Sequence, residues 1–460
     1  MIDILQRNKI DIRDKRVTVI GLGVSGVAAA TLANHLGAIV FASDPGANKR
    51  ISTHAMDLMK SHIPTETGVQ SEKIYDAELW IISPGVPKNA PIVQKAQSLG
   101  IPIVGEIEFA SWYTQSPIIA VTGSNGKTTT VHILSDMCQS ESIKGLIAGN
   151  IGIPFSERVL DEIKNKTVNL VYILEISSFQ MEFAHHFQPK VSVYTNLSPD
   201  HLDRHGTMDE YVKMKMRMSM NQQESDYIVF NNDDDLLTSS VEDYPSQLVP
   251  FSLTKSNVNY SLSSNQIKTV SGQPLIPIDD VGLHGNHNLS NMLAAATASA
   301  LVGISNERIA HVMASFSGVE HRLQNVGSFN EVTYINDSKA TNLDSVIVAI
   351  SSFKNPIILI LGGRNKGSDF RLLLPHIKSS HVRDIISYGE AGGQINTELG
   401  DAVRSVQVTD LHSAVKRAQF LAAPGDVILF SPGCASFDQF SNFEERGQFF
   451  ISIVKEMGQA

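Results

Sequence analysis

Short runs of apolar residues recur along the chain, and most of them end in a loop of glycine or polar residues. β-Branched residues dominate these runs, and Ala-rich stretches with helical spacing follow several of them. Such runs are typical of buried strands. The runs that we interpret as strands cover residues 16–20, 38–43, 79–82, 116–121, 168–174, 191–196, 332–336, 356–361 and 426–430. This repeated order predicts an α/β fold of doubly wound, mostly parallel sheets whose ligands bind at the carboxyl edge.

A chain of 460 residues is too long for a single hydrophobic core. Length and pattern predict three domains, over 1–105, 106–318 and 319–460. The first and third are Rossmann-like, and the second, because it contains the glycine-rich segment Gly-Ser-Asn-Gly-Lys-Thr over 123–128, is expected to be a P-loop ATPase domain with a mostly parallel sheet. The net charge of −10 argues against a general nucleic-acid binder. The absence of a signal-like or membrane-spanning apolar stretch, together with only two distant cysteines, Cys138 and Cys434, predicts a cytoplasmic enzyme without disulfides.

A glycine-rich segment follows the strand that ends at Val121. It reads Thr-Gly-Ser-Asn-Gly-Lys-Thr-Thr over 122–129 and opens a helix. Backbone N–H groups of such a loop bind phosphate, the lysine reaches the β- and γ-phosphates, and the first threonine after it binds magnesium. The segment therefore predicts an ATP or GTP site, although the first glycine of a standard P-loop is replaced by Val121. The residues of this loop that we expect to bind nucleotide are Gly123, Ser124, Asn125, Gly126, Lys127, Thr128 and Thr129.

A second glycine motif lies near the amino terminus. The strand 16–20 leads into Gly-Leu-Gly-Val-Ser-Gly over 21–26, a helix follows, and the next strand stops at Asp44. This order resembles a dinucleotide fingerprint and predicts a nucleotide-phosphate site. The alternative is a turn that only packs a helix on the sheet. Ser83 and Gly85 end a further strand and fall at the same predicted edge.

Two polar segments follow the strands of the central region. Glu175 stands at a strand end, where ATPases often place a magnesium ligand. The segment 200–206, Asp-His-Leu-Asp-Arg-His-Gly, follows the next strand and gathers metal-binding residue types. Zinc is a competing interpretation, but the lack of a nearby cysteine and the phosphate loop favour a hard cation with oxygen ligands. A polar loop without a metal is the simpler alternative.

Together these segments resemble the Mur ligase family across essentially the whole chain. The motifs that carry the resemblance are Gly-Lys-Thr-Thr, Glu-x-Ser-Ser-Phe-Gln, Asp-His-Leu-Asp-x-His-Gly, Gly-Asn-His-Asn and Glu-His-Arg at the third-domain junction. Segments 336–342 and 431–447 resemble the members that add D-glutamate. The resemblance implies that the chain uses ATP to join D-glutamate to UDP-N-acetylmuramoyl-L-alanine in peptidoglycan precursor synthesis. The alanyl carboxylate would be activated as an acyl phosphate. We also expect small-molecule substrates, no nucleic acid, no membrane insertion and a monomer.

The resemblance further implies roles for individual residues. Two Mg²⁺ ions would be held by Thr128, Glu175, His201 and a carbamylated lysine. That lysine is Lys215, because it lies four residues after Tyr211, and Lys213 is the alternative. A plain amphipathic helix without a modified lysine would explain both lysines. Lys127, His201, Lys215 and Lys339 would be catalytic. ATP would also contact Asn291, Arg322 and Asp337. The UDP-sugar would contact Val24, Ser25, Asp44, Ser83, Gly85, Asn150 and His201, and D-glutamate would contact Thr341, Lys366, Ser436 and Phe443.

Three other functions compete with this interpretation. A folylpolyglutamate synthetase shares the ATPase segment, but the extra segment ahead of the phosphate loop argues against it. A dehydrogenase that binds NAD through Gly21–Gly26 leaves the phosphate loop unexplained. A GTP-driven switch is suggested by the segment 365–369, Asn-Lys-Gly-Ser-Asp, although its aspartate comes one residue late for guanine recognition.

Overall fold

The structure is a computed structural model that describes residues 10–458, except 201, 257, 264, 284 and 366 and the side chains of Leu202, Asp203 and Asp344. The chain divides into two compact units, Met1–Phe316 and Ser317–Ala460. The first unit contains two large sheets and a small one, and the second contains one large sheet. The predicted α/β class is confirmed. The predicted boundaries at 105 and 318 stay predictions.

The first sheet has five strands in the order β3-β2-β1-β4-β5, and all of its pairings are parallel. The β-branched strand β1 lies at its centre and is almost entirely buried. The elements of this part of the chain are β1 Arg16–Ile20, α1 Val24–His35, β2 Ile39–Asp44, α2 Lys49–Lys60, β3 Thr65–Thr67, β4 Leu79–Ile82, α3 Pro91–Ser98 and β5 Ile103–Gly105.

The second sheet has six parallel strands in the order β11-β10-β9-β6-β8-β7, and a three-stranded antiparallel sheet, β12-β13-β14, is inserted after it. The central strands of the six-stranded sheet are buried along their whole length, as expected for a sheet covered on both faces. The elements are α4 Glu106–Ser111, β6 Ile118–Thr122, α5 Lys127–Met137, β7 Lys144–Gly149, α6 Phe155–Asn165, β8 Leu170–Glu175, β9 Val191–Tyr194, α7 Leu202–His205, α8 Met208–Met216, β10 Tyr227–Asn231, α9 Asp235–Val241, β11 Gln247–Phe251, β12 Tyr260–Ser263, β13 Gln266–Thr269, β14 Pro274–Pro277, α10 Asn286–Ala300 and α11 Asn306–Ser315.

Helix α4 begins directly after the last strand of the first sheet and carries two buried carboxylates. Glu106 accepts a hydrogen bond from the backbone N–H of Ser156, in the first turn of α6, at 2.5 Å. Glu108 accepts from Trp112 Nε1 at 2.7 Å and from the backbone N–H groups of three consecutive residues, 185–187. These bonds tie the segment between the two sheets to the second sheet and its connections.

The sheet of the second unit has the order β15-β16-β20-β17-β18-β19, in which only β15 is antiparallel to its neighbour. Strand β20 is longer than predicted. It continues through Ser431 and Pro432 because Gly433 still pairs with Gly362 of β17. The elements are β15 Gln324–Phe329, β16 Val332–Asn336, α12 Leu343–Ser351, β17 Ile357–Gly362, α13 Leu374–Ser379, β18 Val382–Tyr388, α14 Gly392–Leu399, β19 Arg404–Gln407, α15 Leu411–Leu421, β20 Val427–Gly433 and α16 Phe443–Gly458.

Candidate functional site

The predicted phosphate loop joins β6 to α5 at the carboxyl edge of the second sheet. Gly126 precedes the helix with φ +82°, and a side chain there would collide with Oδ1 of Asn291 in α10. Glycine is therefore required on both conformational and steric grounds. Lys127 folds back over its own loop, and its Nζ donates to the carbonyl oxygens of Gly123 and Ser124 at 2.8 Å each. The N–H groups at the start of α5 and this ammonium group together favour an anion.

Residues that follow β9 in the chain hold the phosphate loop in place through hydrogen bonds. The backbone N–H of Asn125 donates to Oδ1 of Asn196 at 2.8 Å. Ser124 Oγ donates to the carbonyl oxygen of Ser198 at 2.8 Å and lies 3.0 Å from the hydroxyl of the buried Tyr211. The sequence did not assign Asn196 or Tyr211 a role in supporting the loop. The position of Asn196 just after a strand was a usable signal, whereas the contact of Tyr211 depends on the tertiary fold.

A carboxylate and a hydroxyl meet beside the phosphate loop. Strands β6 and β8 are neighbours, which places Glu175 at the strand end next to the loop. Thr128 Oγ1 donates to one carboxylate oxygen of Glu175 at 2.7 Å, and Asn150 Nδ2 donates to the other at 2.8 Å. Both Thr128 and Glu175 are buried. Hydroxyl and carboxylate oxygens are ligands that Mg²⁺ accepts, so this donor set fits a hard cation.

The two candidate lysines of α8 differ sharply in their surroundings. The side chain of Lys213 is 75% exposed and pairs with Glu210 at 3.6 Å. Lys215 is only 3% exposed; its Nζ donates to the carbonyl oxygen of Gly123 at 2.8 Å and lies 4.5 Å from the ring centre of Tyr211. Burial holds the pKa of Lys215 well below its usual value, and the charge of Lys127 lowers it further, against Asp200 and Glu175.

Five of the seven residues predicted for the UDP-sugar lie at the carboxyl edge of the first sheet, namely Val24, Ser25, Asp44, Ser83 and Gly85. Asp44 accepts from the backbone N–H groups of Leu22 and Gly46, at 2.7 Å each, through different carboxylate oxygens. Ser83 Oγ donates to the carbonyl oxygen of Gly21 at 3.0 Å. Val24 and Ser25 are the first two residues of α1, directly after the loop that follows β1, and Gly85 lies in the loop after β4; all three are exposed or half-buried. The sequence missed His54, whose Nδ1 lies 2.7 Å from the carbonyl oxygen of Leu22.

In the second unit, the segment after β16 carries Asp337 and Lys339. Ser431 donates to Asp337 Oδ2 at 2.8 Å, and the backbone N–H of Leu323 donates to Oδ1 at 3.2 Å. Burial raises the pKa of the Asp337 carboxyl to about 7, against the hydrogen bond from Ser431 and the positive charge of Arg322. Nζ of Lys339 lies 5.3 Å from the ring centre of Phe443, the first residue of α16.

Arg446 in α16 organises these loops and was not among the predicted site residues. Its guanidinium is fully buried and donates to Oγ of Ser338 at 3.0 Å, to the carbonyl oxygen of Ser338 at 2.7 Å and to that of Cys434 at 3.0 Å. It thereby connects the segment that continues to Thr341 with the one that continues to the buried Ser436. Its place in the Glu-Glu-Arg-Gly segment was the only available sequence signal.

Two predicted site residues, His201 and Lys366, lie outside the described residues. Among the side chains that the structure does describe, no group of three or more histidine, cysteine, aspartate or glutamate residues is arranged to hold a metal ion. No helix in the described ranges is long and apolar enough to cross a membrane.

Fold and site together define an α/β protein with three large, mostly parallel sheets and a phosphate loop. The chain belongs to the Mur ligase family, because three family models match it in order: "Mur ligase MurD-like, N-terminal domain" over 15–105, "Mur ligase middle domain" over 121–299 and "Mur ligase, glutamate ligase domain" over 321–434. The family resemblance predicted from the motifs is confirmed. The match over 15–105 also argues against the folylpolyglutamate synthetase alternative.

Relatives and solved structures agree with this assignment. The chain is 38% identical to the UDP-N-acetylmuramoylalanine--D-glutamate ligase of Koribacter versatilis over 98% of this chain and 99% of the relative. It is also 38% identical to the enzyme of that name from Chlorobium chlorochromatii, over 97% and 100%. Two solved structures from Thermotoga maritima share the fold: UDP-N-acetylmuramate-alanine ligase MurC (TM-score 0.58, 18% identity, 96% and 100% covered) and MurF ligase in complex with ADP (0.59, 15%, 99% and 98%).

Proposed function

We propose that this protein joins D-glutamate to UDP-N-acetylmuramoyl-L-alanine with consumption of ATP, in the synthesis of peptidoglycan precursors. The observation that carries the proposal is the identity of 38% over almost the full length to relatives named for this reaction. The phosphate loop and the buried Lys215 beside it are consistent with the ATP-dependent step.

The reaction needs an activated carboxylate, because a carboxylate and an amine do not condense unaided in water. An oxygen of the alanyl carboxylate attacks the γ-phosphorus of ATP, the bond to ADP breaks, and an acyl phosphate forms. The amine of D-glutamate then attacks the acyl carbon; the C–N bond forms, phosphate leaves and the amine loses a proton. The protein's task is positioning and neutralisation of charge, since the first step brings two anions together.

Lys127 supplies positive charge at the β- and γ-phosphates in this proposal. Its Nζ, now bonded to the carbonyl oxygens of Gly123 and Ser124, would turn to the phosphates when nucleotide binds. Asn291 lies against Gly126 at the same loop, and this proximity supports its assignment to the nucleotide. Arg322, Asp337 and Lys339 are assigned to ATP and its phosphates through the resemblance alone.

Magnesium fits the donor set of Thr128 and Glu175, whose oxygens lie 2.7 Å apart beside the loop. Thr128 and Glu175 would hold the magnesium of ATP, His201 and modified Lys215 would hold a second ion, and bound Mg²⁺ would neutralise phosphate charge. The lowered pKa of Lys215 favours the neutral amine that reacts with carbon dioxide. In that modification the Nζ–C bond forms, a proton is released, and the carbamate provides an oxygen ligand where the ammonium provided none.

The other substrates are assigned to the remaining predicted positions. Val24, Ser25, Asp44, Ser83, Gly85, Asn150 and His201 would bind the UDP-sugar, and Thr341, Lys366, Ser436 and Phe443 would bind D-glutamate. A cytoplasmic location, which the sequence predicts, and a monomeric state are part of this proposal.

The test is phosphate release by the purified protein with ATP and UDP-N-acetylmuramoyl-L-alanine, with amino acids supplied one at a time. We expect release with D-glutamate and little with L-glutamate, L-alanine or meso-diaminopimelate. A pocket that pairs two carboxylates of one enantiomer leaves charged groups unpaired with the other. Equal use of L-glutamate, or release without the UDP-sugar, would contradict the proposal.

A further inference from the structure

Arg204 belongs to the Asp-His-Leu-Asp-Arg-His-Gly segment, but neither the predicted site nor the proposed reaction gives it a role. It lies in the short helix α7, and its side chain is 23% exposed. Its guanidinium contacts two parts of the first unit that are far apart in sequence. We propose that Arg204 is a positioning residue that fixes the UDP-sugar loop relative to the phosphate loop; this inference rests on the proposed function.

The first contact of Arg204 is with the loop after β4. Nη1 and Nη2 both donate to the carbonyl oxygen of Pro84, each at 3.3 Å. Pro84 lies between Ser83 and Gly85, the two residues of this loop assigned to the UDP-sugar. Ser83 is itself bonded to Gly21 in the loop after β1. The hydrogen bonds from Arg204 to Pro84 therefore help to fix the position of the two loops that are assigned to the UDP-sugar.

The second contact is with the segment after β8. Nη2 donates to Oε2 of Glu182 at 3.0 Å, and that carboxylate is largely buried. The guanidinium carbon lies 4.1 Å from the ring centre of Phe179. Pro84, Phe179 and Glu182 all line one pocket between the loop after β4 and the 3-10 turn Ser178–Met181. Arg204 thus joins the two walls of that pocket.

The contacts continue from this pocket to the phosphate loop. His205 stacks on Phe179 with ring centres 5.3 Å apart, and its Nε2 lies 2.9 Å from Ser178 Oγ. The ring of Tyr211 lies 5.4 Å from that of His205, and its hydroxyl lies 3.0 Å from Ser124 Oγ in the phosphate loop. A continuous set of packed side chains therefore links Pro84 to Ser124. In the proposed reaction, this link sets the distance between the alanyl carboxylate of the UDP-sugar substrate and the γ-phosphate of ATP.

The chemistry of the contacts explains why arginine is needed. A planar guanidinium can donate two N–H bonds to one carbonyl, a third to a carboxylate, and stack on an aromatic ring at the same time. A lysine ammonium can keep the charge but not this combination. Arg204→Lys should therefore be impaired in the same direction as Arg204→Ala, but less.

The test is steady-state kinetics of Arg204→Ala, Arg204→Lys and Glu182→Gln. We expect Arg204→Ala to lower kcat by about ten- to a hundredfold, because misplacement of about 1 Å has effects of this size, and to raise the KM for the UDP-sugar by about tenfold. The KM for ATP and for D-glutamate should stay within about twofold. Glu182→Gln should show a smaller change in the same two constants.

Arg16→Ala is the matched control. Arg16 also pairs with a carboxylate, Asp76, at 3.1 Å, but both side chains are exposed and lie at the amino end of β1, away from the ligand edge. We expect kinetics like those of the unmodified protein. If all KM values rise together in the Arg204 and Glu182 variants, or if these variants match Arg16→Ala, the inference is wrong. Failure of the proposed function would instead appear as an inactive unmodified protein.

Discussion

Replacing Glu106 by glutamine should stabilise the first unit, and only above a defined pH. Glu106 is 2% exposed, and burial raises the pKa of its carboxyl from 4.5 to about 7, against hydrogen bonds from Ser156 and from the backbone of Phe155. The folded state therefore keeps a proton that the unfolded state has released between pH 4.5 and pH 7. Stability that Glu106 contributes is fully present below pH 4.5 and is lost as the pH rises through about 7.

The size of the effect follows from that pKa. One pKa unit corresponds to about 1.4 kcal/mol, so a rise from 4.5 to about 7 makes the ionised carboxylate cost about 3 kcal/mol in the folded state. Glutamine resembles the protonated acid: its amide oxygen can still accept from the N–H of Ser156. The free energy of unfolding of Glu106→Gln should therefore equal that of the unmodified protein near pH 4.5 and exceed it by up to about 3 kcal/mol above pH 7.

Urea unfolding at several pH values, followed by tryptophan fluorescence, measures this difference. The chain contains two tryptophans, Trp80 and Trp112, and both lie in the first unit with Glu106. Subtracting the free energy of unfolding of the unmodified protein from that of the variant cancels the contribution of every other titrating group. A difference that does not change with pH, or a variant that is less stable throughout, would show that the N–H groups of α6 keep Glu106 ionised and would refute the reasoning.

Glu108→Gln is the matched comparison, two residues along the same helix. Both of its carboxylate oxygens accept from backbone N–H groups, and one also accepts from Trp112. Glutamine keeps one of the two acceptor oxygens. Its NH₂ group takes the place of the other oxygen and is itself a donor that faces the N–H groups. Each buried donor left without an acceptor costs about 1–3 kcal/mol. We therefore expect Glu108→Gln to lose about 3 kcal/mol or more near pH 7, the opposite sign to Glu106→Gln.

The remaining predictions concern the lysines of the site. Lys127→Ala should lower ATP-dependent phosphate release by about a hundredfold or more with little change in thermal unfolding, and near-normal turnover would contradict the ATP assignment. Lys215→Ala should lose most activity while Lys213→Ala stays within about twofold, and mass spectrometry at neutral pH under carbon dioxide trapping should find the added carboxyl group on Lys215; the reverse pattern would assign the modification to Lys213. Lys366→Ala should raise the KM for D-glutamate far more than the KM for ATP, and a dominant effect on ATP would place Lys366 elsewhere.

Local motifs were sufficient to predict the parts of the site that lie on one strand and the turn after it. The phosphate loop and Glu175 could be placed because parallel strands bring their carboxyl ends to one edge, and β6 and β8 are neighbours in the sheet. Lys213 and Lys215 could not be separated by the residues alone, since both are lysines two positions apart on an amphipathic helix. Burial separates them, and it depends on how α8 packs against the phosphate loop.

Asp44 shows a different limit. A dinucleotide fingerprint predicts an acid at the end of the second strand, and the structure places Asp44 there, as the last residue of β2. Both of its carboxylate oxygens are bonded to backbone N–H groups of the flanking loops, from Leu22 and Gly46. The carboxylate therefore shapes the loop as well as presenting an acceptor. A motif names the residue type and its place, but not how many of its lone pairs the fold already uses.

The groups that the sequence could not predict have partners far along the chain. Glu106 bonds a residue 50 positions away, Glu108 one 77 positions away, and Arg204 one 120 positions away. All three contacts connect elements that belong to different predicted domains or follow different strands. Periodicity and local motifs carry no information on such pairs, because these contacts exist only after the sheets have packed. Long-range contacts such as those of Glu106, Glu108 and Arg204 therefore need the structure, whereas the position of the phosphate loop along the chain can be predicted without it.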